Sequence, residues 1–325
     1  MFEKLIRRLI EETPVGGWLP DEVYLSLQYR CRMGRRLNLK APRTFNEKIQ
    51  WLKIHDRNPL YPTLVDKVAV KEWAAAKIGE EYIIPTLAVW DSVEDIDLDA
   101  LPERFVLKCT HDSGSAVLCT DKASFDLEAA KKRLAGRLVL DYGARFREWP
   151  YSKVPRRVLA ERFLDFGSAS ARNDKMGDAR NDKMVNSGND NIVISTKDQR
   201  SARRDLADYK FFCFGGKPEL LFIATERNNP LTETRFDFFD ADFRHIPVRN
   251  GHPNADVPPE KPERFELMKK LAATLSEGLP FVRVDFYEAG GKVYFGEMTL
   301  YHWSGLRPFD PDSYDLIFGN MIELP

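Results

Sequence analysis

Two stretches of alternating side chains, each folding back at a pair of glycines, constrain this chain more than any other feature. In the first, Tyr209 to Phe214 and Glu219 to Thr225 flank Gly215-Gly216; in the second, Val282 to Tyr287 and Val293 to Thr299 flank Gly290-Gly291. Side chains on a strand alternate between faces, and paired glycines supply the positive φ that a tight hairpin turn needs. Lys210, Phe212 and Phe214 then share one face, and Tyr209, Phe211 and Cys213 the other. A chain with two such hairpins builds antiparallel sheet, which excludes an all-helical bundle.

The second hairpin breaks the apolar rule. Arg283 and Asp285 share a strand face, Glu297 and Thr299 share one on the partner strand, and their Val, Phe and Tyr neighbours imply partial burial. Buried carboxylates are costly unless paired or bound to a cation. For Asp285 to face Glu297 the loop must hold an odd number of residues, such as Gly290 to Lys292, because a one-residue slip turns every side chain over. Two carboxylates about 5 Å apart at Cβ could then share Mg²⁺, which leaves its other positions to water and substrate phosphates. An Arg283–Asp285 or Arg283–Glu297 ion pair is the plainer reading, and the hairpin alone leaves both open.

Elsewhere helices and strands mix. Phe2, Leu5, Ile6, Leu9 and Ile10 recur at helical spacing, and Asp21 to about Ile78 reads as helical and basic. After Pro85 come β-type runs at Leu87–Trp90, Phe105–Cys109, Ala116–Cys119 and Val158–Phe163, with helices near Leu127–Leu138 and Pro262–Glu277. The strand ending on Lys108 opens into Thr110-His111-Asp112-Ser113-Gly114-Ser115. Such a loop can offer backbone N–H groups and an ammonium to a phosphate, although lysine before a turn is common. Glu161-Arg162 ahead of Phe163 reads locally as a sheet running out to solvent. From Gly167 to Arg204 the chain is polar and repeats Ala-Arg-Asn-Asp-Lys-Met from Ala171 and Ala179; we expect a mobile insert there.

Composition removes several classes. The 49 Lys+Arg and 50 Asp+Glu leave a net charge of −1, so no overall field draws nucleic acid. Four scattered cysteines without a C-x-x-C pair read as reduced thiols and point to the cytoplasm. No apolar run is long enough to span a bilayer. The first helix could lie on a membrane surface, but its mixed charges favour docking on its own domain. P-loop, dinucleotide, zincin and serine-hydrolase motifs are absent. Four Asp-x-Asp pairs (Asp95/Asp97, Asp97/Asp99, Asp240/Asp242, Asp310/Asp312) keep a nucleotide-sugar glycosyltransferase as an alternative, though this many aspartates give chance matches.

Read in chain order, the pieces resemble the ATP-grasp fold and, more closely, the TupA-like ATP-grasp family of polysaccharide biosynthesis. The segments that carry the likeness are Leu37 to Lys53, Asp66-Lys67, Phe105 to Gly114, Asp208 to Phe212 and Phe281 to Gly305. The resemblance implies an α+β fold in which two lobes enclose a nucleotide cleft behind a helical N-terminal region. It divides the chain into 1–85, a first lobe at 86–160 and a second at 161–325.

The same resemblance implies roles. Lys67, Lys108 and Lys210 would contact ATP, Thr110 to Ser115 would form a flexible loop over its phosphates, Glu161, Arg162 and Phe163 would line the adenine edge, and Asp208 would reach the ribose. Asp285 and Glu297 would hold Mg²⁺, with Thr299 where relatives often carry Asn. Arg283 and Lys108 would be catalytic, and His302, Trp303, Ser304 and Gly305 would face the acceptor. The implied activity is a carboxylate–amine ligase acting on a uronic acid in surface-polysaccharide synthesis, with an ATP-dependent sugar kinase as a further alternative. Its partners would be a carboxylate-bearing small molecule or glycan and an amine donor.

Overall fold

A helical third leads into two sheets in the computed structural model, which describes residues 2–164, 193–194, 207–226 and 233–325. The doubled hexapeptide lies outside the described residues, as does the rest of the expected 167–204 insert apart from Val193 and Ile194.

The helical third comprises α1 (Phe2–Glu12), α2 (Val15–Trp18), α3 (Asp21–Met33), α4 (Phe45–His55), α5 (Tyr61–Val65) and α6 (Ala69–Ile78). Ile10 of α1 packs on Tyr24 and Leu25 of α3, while Leu5 and Leu9 stay exposed. The α4 helix starts at a capping box: the Thr44 hydroxyl accepts from the Glu47 N–H at 3.3 Å, and the Glu47 carboxylate accepts from the Thr44 N–H at 3.1 Å. Thr44→Ala removes one half of this exchange and should cost about 1 kcal/mol, read as a lower midpoint in denaturant unfolding.

The first sheet has the order β1-β4-β2-β3-β5, from β1 (Thr86–Trp90), β2 (Phe105–Cys109), β3 (Val117–Cys119), β4 (Val158–Arg162) and β5 (Val193–Ile194). Its pairs are antiparallel except β3 with β5. Between β3 and β4 run α7 (Leu127–Leu138) and the short α8 (Tyr142–Phe146), with Ala130 and Leu134 of α7 packed among Phe105, Leu107 and Val117. The expected 160/161 boundary falls inside β4, whose Glu161 and Arg162 still pair with β2.

The second sheet is antiparallel throughout, in the order β11-β10-β6-β7-β8-β9. Its strands are β6 (Asp208–Phe214), β7 (Lys217–Thr225), β8 (Arg235–Asp240), β9 (His245–Ile246), β10 (Phe281–Ala289) and β11 (Lys292–Thr299). Alternation sorts the residues as the sequence demands: on one face Phe211 meets both Phe286 and Phe265 of α9 (Phe265–Ser276). On the other, Phe212 and Phe281 meet Phe45 of α4 at ring separations of 5.9 and 5.0 Å. The polar side chains Lys210, Arg283 and Asp285 continue this second face beyond the aromatic patch. A last helix, α10 (Ser313–Gly319), returns to α4, where Asp315 accepts from the Asn46 backbone at 2.9 Å. Among the described residues no helix is long and apolar enough to cross a membrane.

Candidate active site

The β10–β11 hairpin turns on Gly290 and Gly291, with φ of 57° and 72°, so Ala289 faces Lys292 across a two-residue turn. Continued evenly, that register would set Asp285 opposite Gly296 and rotate Glu297 to the far face. A bulge at Gly296 corrects it. Phe286 faces Phe295, and the next pair is Asp285 with Glu297, followed by Arg283 with Thr299. The extra residue expected in the loop is therefore supplied inside the strand. Glycine is required there because a Cβ would come within 2.9 Å of the Tyr287 ring and 3.2 Å of the Asp285 carbonyl oxygen.

Arg283 organises the acids. Its Nε and one terminal nitrogen donate to the two Asp285 oxygens, both at 2.7 Å. The same terminal nitrogen reaches Glu297 at 3.0 Å, and the other donates to His302 Nδ1 at 3.1 Å. Lys210 bridges Asp285 and Asp208, the latter at 2.7 Å. Burial opposes the charge on Arg283, yet Asp285, then Glu297 and Asp208, hold its pKa above the ordinary value. Burial likewise dominates at Asp285, pushing its carboxyl up against the pull of Arg283 and Lys210.

Glu297 differs from Asp285. Its side chain keeps 36% of its surface open, whereas that of Asp285 is fully buried. Desolvation would raise Glu297, but Arg283, Lys210, Lys67 and Lys108 outweigh it and hold the carboxyl at about 2. Of these cations Arg283 touches the carboxylate directly, and Lys210 and Lys67 line the same cleft.

In the first lobe Lys108 pairs with Glu161, and so does Lys71 at 2.6 Å, which the sequence reading missed. The two ammoniums keep Glu161 ionised against the desolvation that would raise it. Arg162 is exposed, and Arg104 stacks 4.1 Å over Phe163. The Thr110–Ser115 loop is tied down rather than free. Thr110 donates to the Pro155 carbonyl at 2.6 Å, His111 meets the Leu140 carbonyl at 3.2 Å, and Ser115 donates to Asp112 at 2.6 Å. Three cations take its tip carbonyls: Lys67 at Asp112, Arg137 at Ser113, and Arg133 at Gly114, 2.8 Å away. Arg133 and Arg137 sit four residues apart on α7, a spacing legible in the sequence once the loop is known to lie beneath that helix.

The segment after β11 is held from α4. Gln50 donates to the Ser304 and Gly305 carbonyls, both at 2.8 Å, and Lys53 donates to the Ser304 carbonyl at 2.7 Å and hydroxyl at 2.6 Å. Desolvation brings Lys53 down to about 7 despite the attraction of Glu148. These bonds clamp Trp303 and Ser304 at φ of 47° and 58°, a left-handed backbone costing about 1–2 kcal/mol per residue. His302 is 2% exposed, with its ring edge on the cleft wall, and Gly305 is buried under α4. Because arginine only donates, His302 Nδ1 accepts, so Nε2 carries the proton and donates to Asn250 at 2.9 Å. Burial, then Arg283 and Lys210, keep this ring neutral.

One cleft of about 1540 Å³ gathers Lys67, Asp112, Ser113, Gly114, Lys210, Arg283, Glu297, Thr299, His302, Trp303 and Ser304 along its walls. That volume exceeds the roughly 300–1,000 Å³ of a single-ligand site, which leaves room for more than one substrate. Lys108, Thr110, His111, Ser115, Glu161, Arg162, Phe163, Asp208, Asp285 and Gly305 are not among the residues that line it. Asp208 and Asp285 are buried against Lys210, so neither offers an oxygen to the cleft surface. None of the four Asp-x-Asp pairs lines it.

The acids fit a divalent cation of the kind that takes one or two carboxylates and fills its shell with phosphate oxygens. Glu297 is ionised and open, with the Thr299 hydroxyl on the same strand face. Asp285 could join only if Arg283 or Lys210 released an oxygen. Among the described residues no group of three or more acidic, histidine or cysteine side chains is gathered closely enough to hold a metal alone.

No curated protein matches this chain. Solved structures similar to it include a D-alanine–D-alanine ligase from Bacillus anthracis, at 14% identity and a TM-score of 0.37, covering 73% of this chain and 57% of that one. Another is the D-alanine–D-alanine ligase from Helicobacter pylori, at 11% identity and 0.40, covering 88% and 68% respectively. A third, an L-amino acid ligase from Bacillus licheniformis, is 11% identical with a TM-score of 0.42; the match covers 88% of this chain but spans only 55% of that ligase. The family model described as TupA-like ATPgrasp matches residues 47–176 and 172–323. Nearly everything from α4 to the C-terminus thus falls within that match, and the chain belongs to the TupA-like ATP-grasp family.

Proposed function

We propose that the chain is an ATP- and Mg²⁺-dependent, ADP-forming carboxylate–amine ligase. Its acceptor is a uronic acid of a surface polysaccharide, which it amidates or joins to an amino acid through an acylphosphate. The observation that carries this reading is a single cleft lined by Lys67, Lys210 and Arg283 together with the open carboxylate of Glu297, which Arg283 meets at 3.0 Å. A cleft that concentrates cations around an open carboxylate suits a triphosphate with its metal.

The chain's own residues divide the work. Lys67 and the Ser113–Gly114 tip, with Arg133 and Arg137 behind it, place positive charge and backbone where phosphates would rest. Lys108 and Lys71, fixed by Glu161, extend that field toward the nucleotide. Arginine has five N–H donors, and four of those on Arg283 are spent on Asp285, Glu297 and His302. One N–H remains on the cleft wall, where it can meet the oxygen of a reacting acyl group. Mg²⁺ would be held by Glu297 with Thr299, and by Asp285 only if Arg283 or Lys210 released an oxygen, and would neutralise phosphate charge.

Mass spectrometry of products from ATP with panels of uronic acids and amines tests this directly. ADP, inorganic phosphate and an amide are expected; phosphate retained on a sugar hydroxyl would replace the ligase with a kinase. Glu297→Gln should raise the Mg²⁺ needed for half-maximal rate on the order of tenfold or more, with a smaller loss of thermal stability than a fully buried acid would give, because the partly open side chain gives up its charge but its amide oxygen can still accept from Arg283. An unaltered metal dependence would remove Glu297 from the metal site.

A further inference from the structure

Beyond Trp303, on the same wall of the cleft as Arg283, lies an arginine that the reaction does not employ. The Arg307 backbone is pinned, its carbonyl accepting from Asn46 at 3.2 Å and from Asn250 at 3.3 Å. Its guanidinium stands 5.2 Å over the Trp303 ring. Gly251 makes room for both: a Cβ there would lie 3.1 Å from that ring and 3.4 Å from the Arg307 Nε. The indole N–H is buried and finds no acceptor among the described residues.

Among the described residues no carboxylate compensates the charge on Arg307. Arg283, Arg137, Arg147 and Arg32 each have a carboxylate within 4 Å, whereas among the described residues Arg307 has none. Partial burial, then the like charge of Arg32, disfavour its protonated form, and no acid acts on it in the opposite direction. Arg32 lines the same cleft, with its own charge met by Glu11 at 2.8 Å. A guanidinium held in place, partly desolvated and without a counterion is completed by an anion from outside.

We propose that Arg307 is an oxyanion subsite for a substrate carboxylate that the reaction does not consume, with a reach set by the distance across Trp303 from Arg283. This rests on the ligase reading of the cleft and sharpens its substrate class. The carboxylate belongs either to an amino acid serving as amine donor or to the neighbouring unit of a polyanionic acceptor. The planar fork of arginine pairs with carboxylate through two parallel hydrogen bonds.

Two kinetic arms separate the sources, using the full chain and Arg307→Ala, with Arg307→Lys as the charge-preserving comparison. In the first, amide formation is followed with amino acids and with the corresponding decarboxylated amines. In the second, hydroxylamine replaces the amine, and hydroxamate is measured with mono- and diuronic acids. Loss of a charge-assisted pair should raise the relevant KM about 10- to 100-fold, with KM for ATP unchanged and Arg307→Lys in between. An effect confined to amino acids assigns the carboxylate to the amine donor; one confined to diuronic acid assigns it to the acceptor. No KM change in either arm overturns the subsite.

Should wild-type protein form neither hydroxamate nor ADP with any acid, the ligase reading falls. The subsite is then judged by tryptophan-fluorescence titration with amino acids and uronates. Tighter binding to wild type than to Arg307→Ala supports it, and equal or absent binding refutes it.

Discussion

Arg283→Ala is expected to lower turnover by about 10²- to 10³-fold while leaving half-saturation by ATP nearly unchanged, as befits loss of a donor needed chiefly in the transition state. The reason lies in the donor count. Asp285, Glu297 and His302 occupy four of the five N–H groups and fix the plane of the guanidinium, so the fifth points in one direction only. Arg283→Lys keeps the charge but not the fork, and should recover little of the rate. Guanidinium ion added to Arg283→Ala should restore part of it, since the acids that would hold it remain. Turnover within about threefold of wild type would take Arg283 out of the chemistry.

Asp285→Ala should do its damage to the fold. The acid is fully buried, and its removal strips Arg283 of two hydrogen bonds and Lys210 of one. Breaking a buried pair by removing one partner costs about 3–5 kcal/mol; the lower end applies because Glu297 and Asp208 remain as partners. Denaturant unfolding would read this as a large fall in the midpoint. Opposite profiles are therefore expected of two acids that face each other across one ladder. Asp285→Ala should lose stability, and Glu297→Gln should lose metal affinity. If both variants lost stability equally, Glu297 would be structural too.

The sequence made the hairpins legible because alternation and paired glycines report local geometry. The helix over Leu127–Leu138 and the strand at Phe105–Cys109 follow from periodicity in the same way. The Asp285–Glu297 facing was foreseen, but its cause was placed in the turn instead of at Gly296, since a bulge leaves no mark except an isolated glycine in a strand. Gln50, Lys53, Lys71 and Asn250 escaped notice for a different reason. On a helix or in a loop such residues look like a solvated surface, and only the tertiary fold turns them inward to carbonyls and carboxylates. The roles of His302 and of the Thr110–Ser115 loop follow only from the family resemblance, which carries no information on their partners: the His302 ring is held between Arg283 and Asn250, and the loop is tied to Pro155, Leu140 and the cations of α7.

The clamp that α4 places on the left-handed turn after β11 bears on how such a protein can be taken apart. A fragment beginning at β1 would retain both sheets but release Trp303 and Ser304 to relax into ordinary conformations, taking Arg307 and the ring beneath it out of alignment. The helical third is thus part of the working surface, and neither portion should be expected to function when grafted elsewhere without the other.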